Sequence, residues 1–129
     1  MMKTSILYAL LALICWQGES LAAERPDVSI VQLIANPKSY DGQFVRVVGF
    51  VSFEFEGDAI YLHADDYRHS IFKNGLWIAV TDEMKKKQQD LDKKYVVLEG
   101  TFSAKDTGHM GAWSGSIQKI TRFATRGTR

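Results

Sequence analysis

The run KDTGHMGAWSG, residues 105–115, sets a histidine, a methionine and a tryptophan among glycines at 108, 111 and 115. Imidazole and thioether both bind a soft metal such as copper, so His109 and Met110 mark one place where this chain could do chemistry. The competing reading is a long turn, with glycines supplying backbone angles that other residues avoid and Trp113 covering the end of a barrel. One histidine and one methionine without a repeated ligand spacing favour the turn. A second constellation is HADDYRH, residues 63–69. His63, Asp65 and His69, joined by His109, would use every histidine of the chain and would suit zinc. Against a metal, Asp65 and Asp66 also read as ordinary loop and cap residues, and Arg68 sets a competing cation beside them.

The third candidate is aromatic. Side chains alternate along a strand, so if Ile60 and Leu62 face a core, Tyr61 and His63 face outward. Trp77 can share that outer face, and Phe44, Arg46 and Phe50 lie on one face of the strand before. Tyr61, His63, Trp77, His109 and Trp113 are therefore the candidate ligand-binding residues. Rings on such a face can stack bases or sugars, but a small domain also needs its aromatics to fill volume.

The elements that must position these residues follow from periodicity. Ser29 and Gln32 have the spacing of a capping box. Ile30, Leu33 and Ile34 share a helical face, and Pro37 stops the helix, which predicts about two turns ending at residue 35. From residue 43 the period becomes two. The apolar run 44–55 predicts a long first strand, with Gly49 marking a bulge or sharp bend at its middle. Strands follow at 59–63, 76–80, 95–102 and 116–123, with an irregular or one-turn connection at 65–71. Thr81 caps a largely solvated helix over 82–92, with Met84 and Leu91 on its buried side. The order predicts a mainly β fold: a five-stranded Greek-key barrel of the oligonucleotide/oligosaccharide-binding (OB) type, with a short N-terminal helix and a helix between strands three and four. One such domain spans 23–123, followed by a flexible tail at 124–129.

Residues 1–22 read as a secretory signal peptide: a positive start, an apolar stretch too short for the roughly 20 residues of a membrane span, and small residues at the cleavage site. The only cysteine, Cys15, leaves with it. The bulky Ile14 before that cysteine argues against lipid attachment. Export to the periplasm or beyond is the expectation. A net charge of +1 argues against a protein built to neutralise phosphates, so nucleic acid is an unlikely partner. The lysines at 85–87, 93 and 94 are interleaved with Asp82, Glu83, Asp90 and Asp92, as on a solvated helix. No nucleophile elbow, phosphate loop or zinc-protease pair is present, and no cofactor is expected.

The segments LIANPKSYDGQFVRVVGF, AIYLH, NGLWIAV, YVVLEGTF and GHMGAWSGSI resemble a group of small exported bacterial proteins of unassigned function. The resemblance covers 28–122. It implies an OB-like barrel and export, and brings with it no activity and no catalytic residue. The leading expectation is an exported, non-catalytic binding module of the envelope, holding a protein or glycan partner with its outer sheet face and the loops 56–58, 64–75 and 105–115. The alternatives are a zinc- or copper-binding protein using His63, His69 and His109, and an oligonucleotide- or glycan-binding OB domain.

Overall fold

Ser29 opens the first helix as its spacing predicts. Its hydroxyl accepts from the Gln32 N–H at 3.1 Å, and its own N–H donates to Gln32 Oε1 at 2.9 Å. The computed structural model describes residues 26–128; the predicted signal peptide, its cleavage site and Cys15 lie outside them. Helix α1 (Ile30–Ala35) buries Ile30 and Leu33. Pro37 ends it but also starts another: proline needs no N–H partner in a first turn, so α2 (Pro37–Tyr40) follows at once.

The strands β1 (Phe44–Ser52), β2 (Ala59–Tyr61), β3 (Gly75–Ile78), β4 (Lys94–Ser103) and β5 (Ser116–Thr125) close a barrel in the order β1-β2-β3-β5-β4. β3 and β5 run parallel, and every other pair is antiparallel. This is the mainly β, five-stranded OB-like barrel that the element order predicts. Its interior is filled by inward residues such as Val45, Val47, Ile60, Leu76, Leu98 and Ile117. Strand β1 serves two neighbours, pairing with β4 through Val51 and with β2 from Phe50 onward.

Of the bulge or sharp bend predicted at Gly49, the bulge is absent. The β1–β4 register runs unbroken from Phe44 to Val51, and the irregularity lies instead on β4 between Glu99 and Thr101, where it meets β5. Gly49 is glycine because α1 and β2 press on it: a Cβ there would sit 2.5 Å from the Tyr61 carbonyl and 2.8 Å from Ile30 Cδ1.

β1 and β2 are shorter than predicted because side chains take over the backbone donors. Phe53 N–H donates to Asp92 Oδ1 at 2.9 Å and Glu54 N–H to Asp58 Oδ1 at 3.1 Å, which peels 53–58 away as a loop. At the end of β2, His63 N–H donates to Asp66 Oδ2 at 3.0 Å and opens helix α3 (Ala64–Arg68). A single 3-10 turn (Phe72–Asn74) leads into β3. The predicted helix between strands three and four is present as two pieces, α4 (Asp82–Lys86) and α5 (Gln88–Leu91), broken at Lys87; Thr81 caps the first, and Met84 and Leu91 are buried as predicted. The predicted tail is partly strand: Ala124 and Thr125 pair with Val97 and Val96, and Arg126 N–H donates to the Tyr95 carbonyl at 2.7 Å.

The more deeply buried of two carboxylates among the described residues, Glu99 rather than Asp66, sits inside this frame. Glu99, 2% exposed, lies in direct register with Arg46 on β1 and Arg122 on β5, at 3.7 and 3.4 Å. A carboxylate taken out of water needs such partners, so the trio reads as a cross-strand tie.

Candidate ligand cleft

Alternation on β2 places Ile60 inside the barrel and Tyr61 outside it, as predicted, but Tyr61 is not open to a ligand. It is 2% exposed, in a second small cluster with Ala59 and Trp113, and Tyr67 and Trp77 pack against that cluster. Trp113, 4% exposed, lies 5.0 Å from the Trp77 ring and 5.3 Å from Phe72, and its indole N–H donates to the Tyr61 hydroxyl at 3.2 Å. Tyr61 is also 5.9 Å from Tyr67, which in turn meets Phe50 at 5.8 Å. Burial pushes the Tyr61 phenol above its usual range, with the Trp113 N–H pulling the other way. Three of the predicted ligand residues, Tyr61, Trp77 and Trp113, thus form a packed outer layer.

That layer is closed by the stretch 105–115, and the structure shows how. The Asp106 carboxylate accepts from Gly108 N–H at 3.0 Å and from Gln118 Nε2 at 2.8 Å. Gly108, at φ +73°, lets the loop press on Trp77: a Cβ there would fall 2.6 Å from the indole. The Lys73 ammonium donates to the carbonyls of Gly111 and Trp113, and Ser114 Oγ donates to the Lys73 carbonyl at 2.6 Å. The run is an anchored loop with a short 3-10 turn (His109–Gly111) at its tip.

The Gly108 N–H chiefly, with Gln118 and Ser116 assisting, holds the Asp106 carboxyl below its ordinary value. A carboxyl lowered in the folded state stabilises above its unfolded value near 4 and loses that contribution as the pH falls through the folded value. Asp106→Asn is therefore expected to be less stable than the parent at neutral pH, with the gap closing below about pH 4. Urea denaturation at both pH values measures it; a gap independent of pH contradicts the assignment.

Beside this layer lies a cleft of about 390 Å³. The β1–β2 loop supplies Glu54, Phe55, Glu56 and Gly57; α3 and the residues after it supply Tyr67, Arg68, Ser70 and Phe72; Tyr61 and Trp113 complete the lining. Phe55 is 92% exposed and Phe72 40%. The ionic side chains are held in pairs. Tyr67 O–H donates to Glu54 Oε1, and Lys93 Nζ lies 3.6 Å from the same oxygen and 4.6 Å from the centre of the Tyr67 ring. Partial burial works against the Lys93 ammonium, but the Asp92 carboxylate and Tyr67 outweigh it and leave its proton held more tightly than usual. Glu56 meets His109 Nε2 at 3.1 Å, joining the β1–β2 loop to the β4–β5 loop. Arg68 is paired with Asp65 at 2.8 Å.

The residues proposed as metal ligands are not brought together. His109 is on the β4–β5 loop with Glu56, and Met110 is exposed. His63 and Asp65 line a separate depression with Asp66, Arg68 and Tyr95. Asp65 is committed to Arg68, and Asp66 to His63 N–H and Asn74 Nδ2. His69 is the exposed residue that follows α3. Among the described residues no three His, Cys, Asp or Glu side chains gather where they could hold a metal ion.

The candidate loops 56–58, 64–75 and 105–115 all contribute to the cleft and contain Glu56, Tyr67 and Phe72, although none of these three, nor Phe55, is among the individual candidate ligand residues. Phe55 was hidden by its place at the end of an apolar run, and the signal that exposes it is its position between two glutamates at a turn. Among the described residues no helix is long and apolar enough to cross a membrane. No protein-family model and no curated protein matches the chain.

Proposed function

We propose that this chain is a small, non-catalytic binding module of the bacterial envelope, exported on its N-terminal signal peptide, which holds its ligand in the cleft between the β1–β2 loop, α3 and the β4–β5 loop. The observation that carries the reading is the exposed ring of Phe55 in the lining of a 390 Å³ cleft, which it shares with Tyr61, Tyr67, Phe72 and Trp113 and with the polar side chains of Glu54, Glu56, Arg68 and Ser70. A phenylalanine 92% exposed contributes little to a core, and with the 40% exposed Phe72 in the same lining it offers apolar surface within a polar rim, the arrangement of a recognition site. OB barrels build ligand surfaces from these same two loops. Each ionic group of the cleft is tied to a neighbour, which suits a surface that recognises more than one that moves protons. Glu54 and Glu56 in the lining weigh against an oligonucleotide. The signal-peptide pattern of residues 1–22 supports the compartment.

A photoreactive side chain in place of Phe55, in the exported protein, is expected to form a covalent adduct when intact cells are irradiated. The same group at Val48, exposed on β1 and outside the cleft lining, is expected to give none. Equal yields at the two positions, or no adduct at 55, would remove the cleft as the binding site.

A further inference from the structure

We infer that the cleft takes an uncharged saccharide; this rests on the binding reading above and names its ligand class. The charges decide it. Glu54 is engaged through Oε1, Glu56 through Oε2 and Arg68 through Nη1. Every one of these charges has a neighbour, yet among the described residues no hydrogen bond reaches Glu54 Oε2, Glu56 Oε1 or Arg68 Nη2. A cationic ligand would compete with Lys93 for Glu54, and a phosphate would meet two carboxylates. A hydroxyl needs neither exchange. It donates to the second oxygen of a carboxylate, or accepts from the second arm of a guanidinium, and leaves the existing pair in place.

The apolar half of the cleft agrees. Phe55 and Phe72 present exposed ring surface in a lining that also includes Tyr67 and the buried Tyr61 and Trp113, with Phe72 5.3 Å from the Trp113 ring. A pyranose is apolar on its C–H faces and polar around its rim, which is the division of surface offered here. The volume, about 390 Å³, lies at the small end of the ~300–1,000 Å³ range of small-molecule sites, the scale of a short oligosaccharide end. The Glu56–His109 contact, at 3.1 Å, spans the two loops at the edge of the site.

The test titrates isotope-labelled protein, followed by NMR, with maltotriose, cellotriose and chitotriose, and separately with a trilysine peptide and a thymidine oligonucleotide. At least one trisaccharide is expected to move the amide signals of Phe55, Ser70 and Phe72 and the Trp113 indole signal, saturably. Phe55→Ala is expected to weaken that binding about tenfold, the scale of a lost aromatic anchor, and because its ring is exposed the variant stays folded. Movement of these signals by the peptide or the oligonucleotide, with none by any trisaccharide, overturns the saccharide and leaves the binding reading standing. Silence from every probe, together with no photo-adduct at position 55, overturns both.

Discussion

Trp113→Ala is expected to lower the stability of the domain by about 3–5 kcal/mol, the range for deleting a buried tryptophan. The indole is 4% exposed and holds the β4–β5 loop to the barrel through Trp77, Phe72 and Tyr61. Removing it opens a cavity between the loop and β3. It also leaves the Tyr61 hydroxyl, on a side chain 2% exposed, without the donor that faces it. In a domain of about a hundred residues each kcal/mol moves the midpoint by about 4–8 °C, so the variant should melt well over ten degrees below its parent. Trp113→Phe keeps much of the volume and loses the N–H, and should fall between the two. Urea denaturation measures both. A loss below about 1 kcal/mol for Trp113→Ala would return this tryptophan to the list of ligand residues.

Gly49→Ala carries the second large effect, expected at about 2–3 kcal/mol. The added methyl would lie 2.5 Å from the Tyr61 carbonyl oxygen, 2.7 Å from Ile60 Cγ1 and 2.8 Å from Ile30 Cδ1. The side chains can turn, but the carbonyl belongs to the backbone of β2, so relief requires β1 and β2 to part. The matched control is Gly127→Ala, which meets nothing within 4 Å and should be neutral. Equal stability in the two variants would contradict the close packing of β2 and α1 on β1.

The same residues show what the sequence makes legible. Local signals read true: Ser29 with Gln32, Thr81 before its helix and Met84 spaced seven from Leu91 are all found as the chain spells them. Alternation placed Tyr61 on the outer face correctly. Its burial there depends on contacts distant in sequence, among them Lys73 with the Gly111 and Trp113 carbonyls and Trp113 with Tyr61, and no short pattern encodes those. Gly49 was conspicuous as an interior glycine, yet a bulge and a close approach leave the same mark. Phe55 was read as strand because the Asp92 and Asp58 carboxylates that draw the backbone out of the ladder lie 39 and 4 residues from the amides they accept. Glu99 was hidden because its partners Arg46 and Arg122 become neighbours only once the strands are in register.

Under the proposed function the buried rings hold the loops and the exposed ring of Phe55 meets the ligand. The most direct measurement places the photoreactive side chain at Phe72, with and without Phe55→Ala, and follows melting and adduct yield in the same two proteins. Midpoints within about 3 °C of each other are expected, since Phe55 is 92% exposed, together with a fall of about tenfold in adduct. An undiminished adduct, or a midpoint that drops as it does for Trp113→Ala, would contradict that reading.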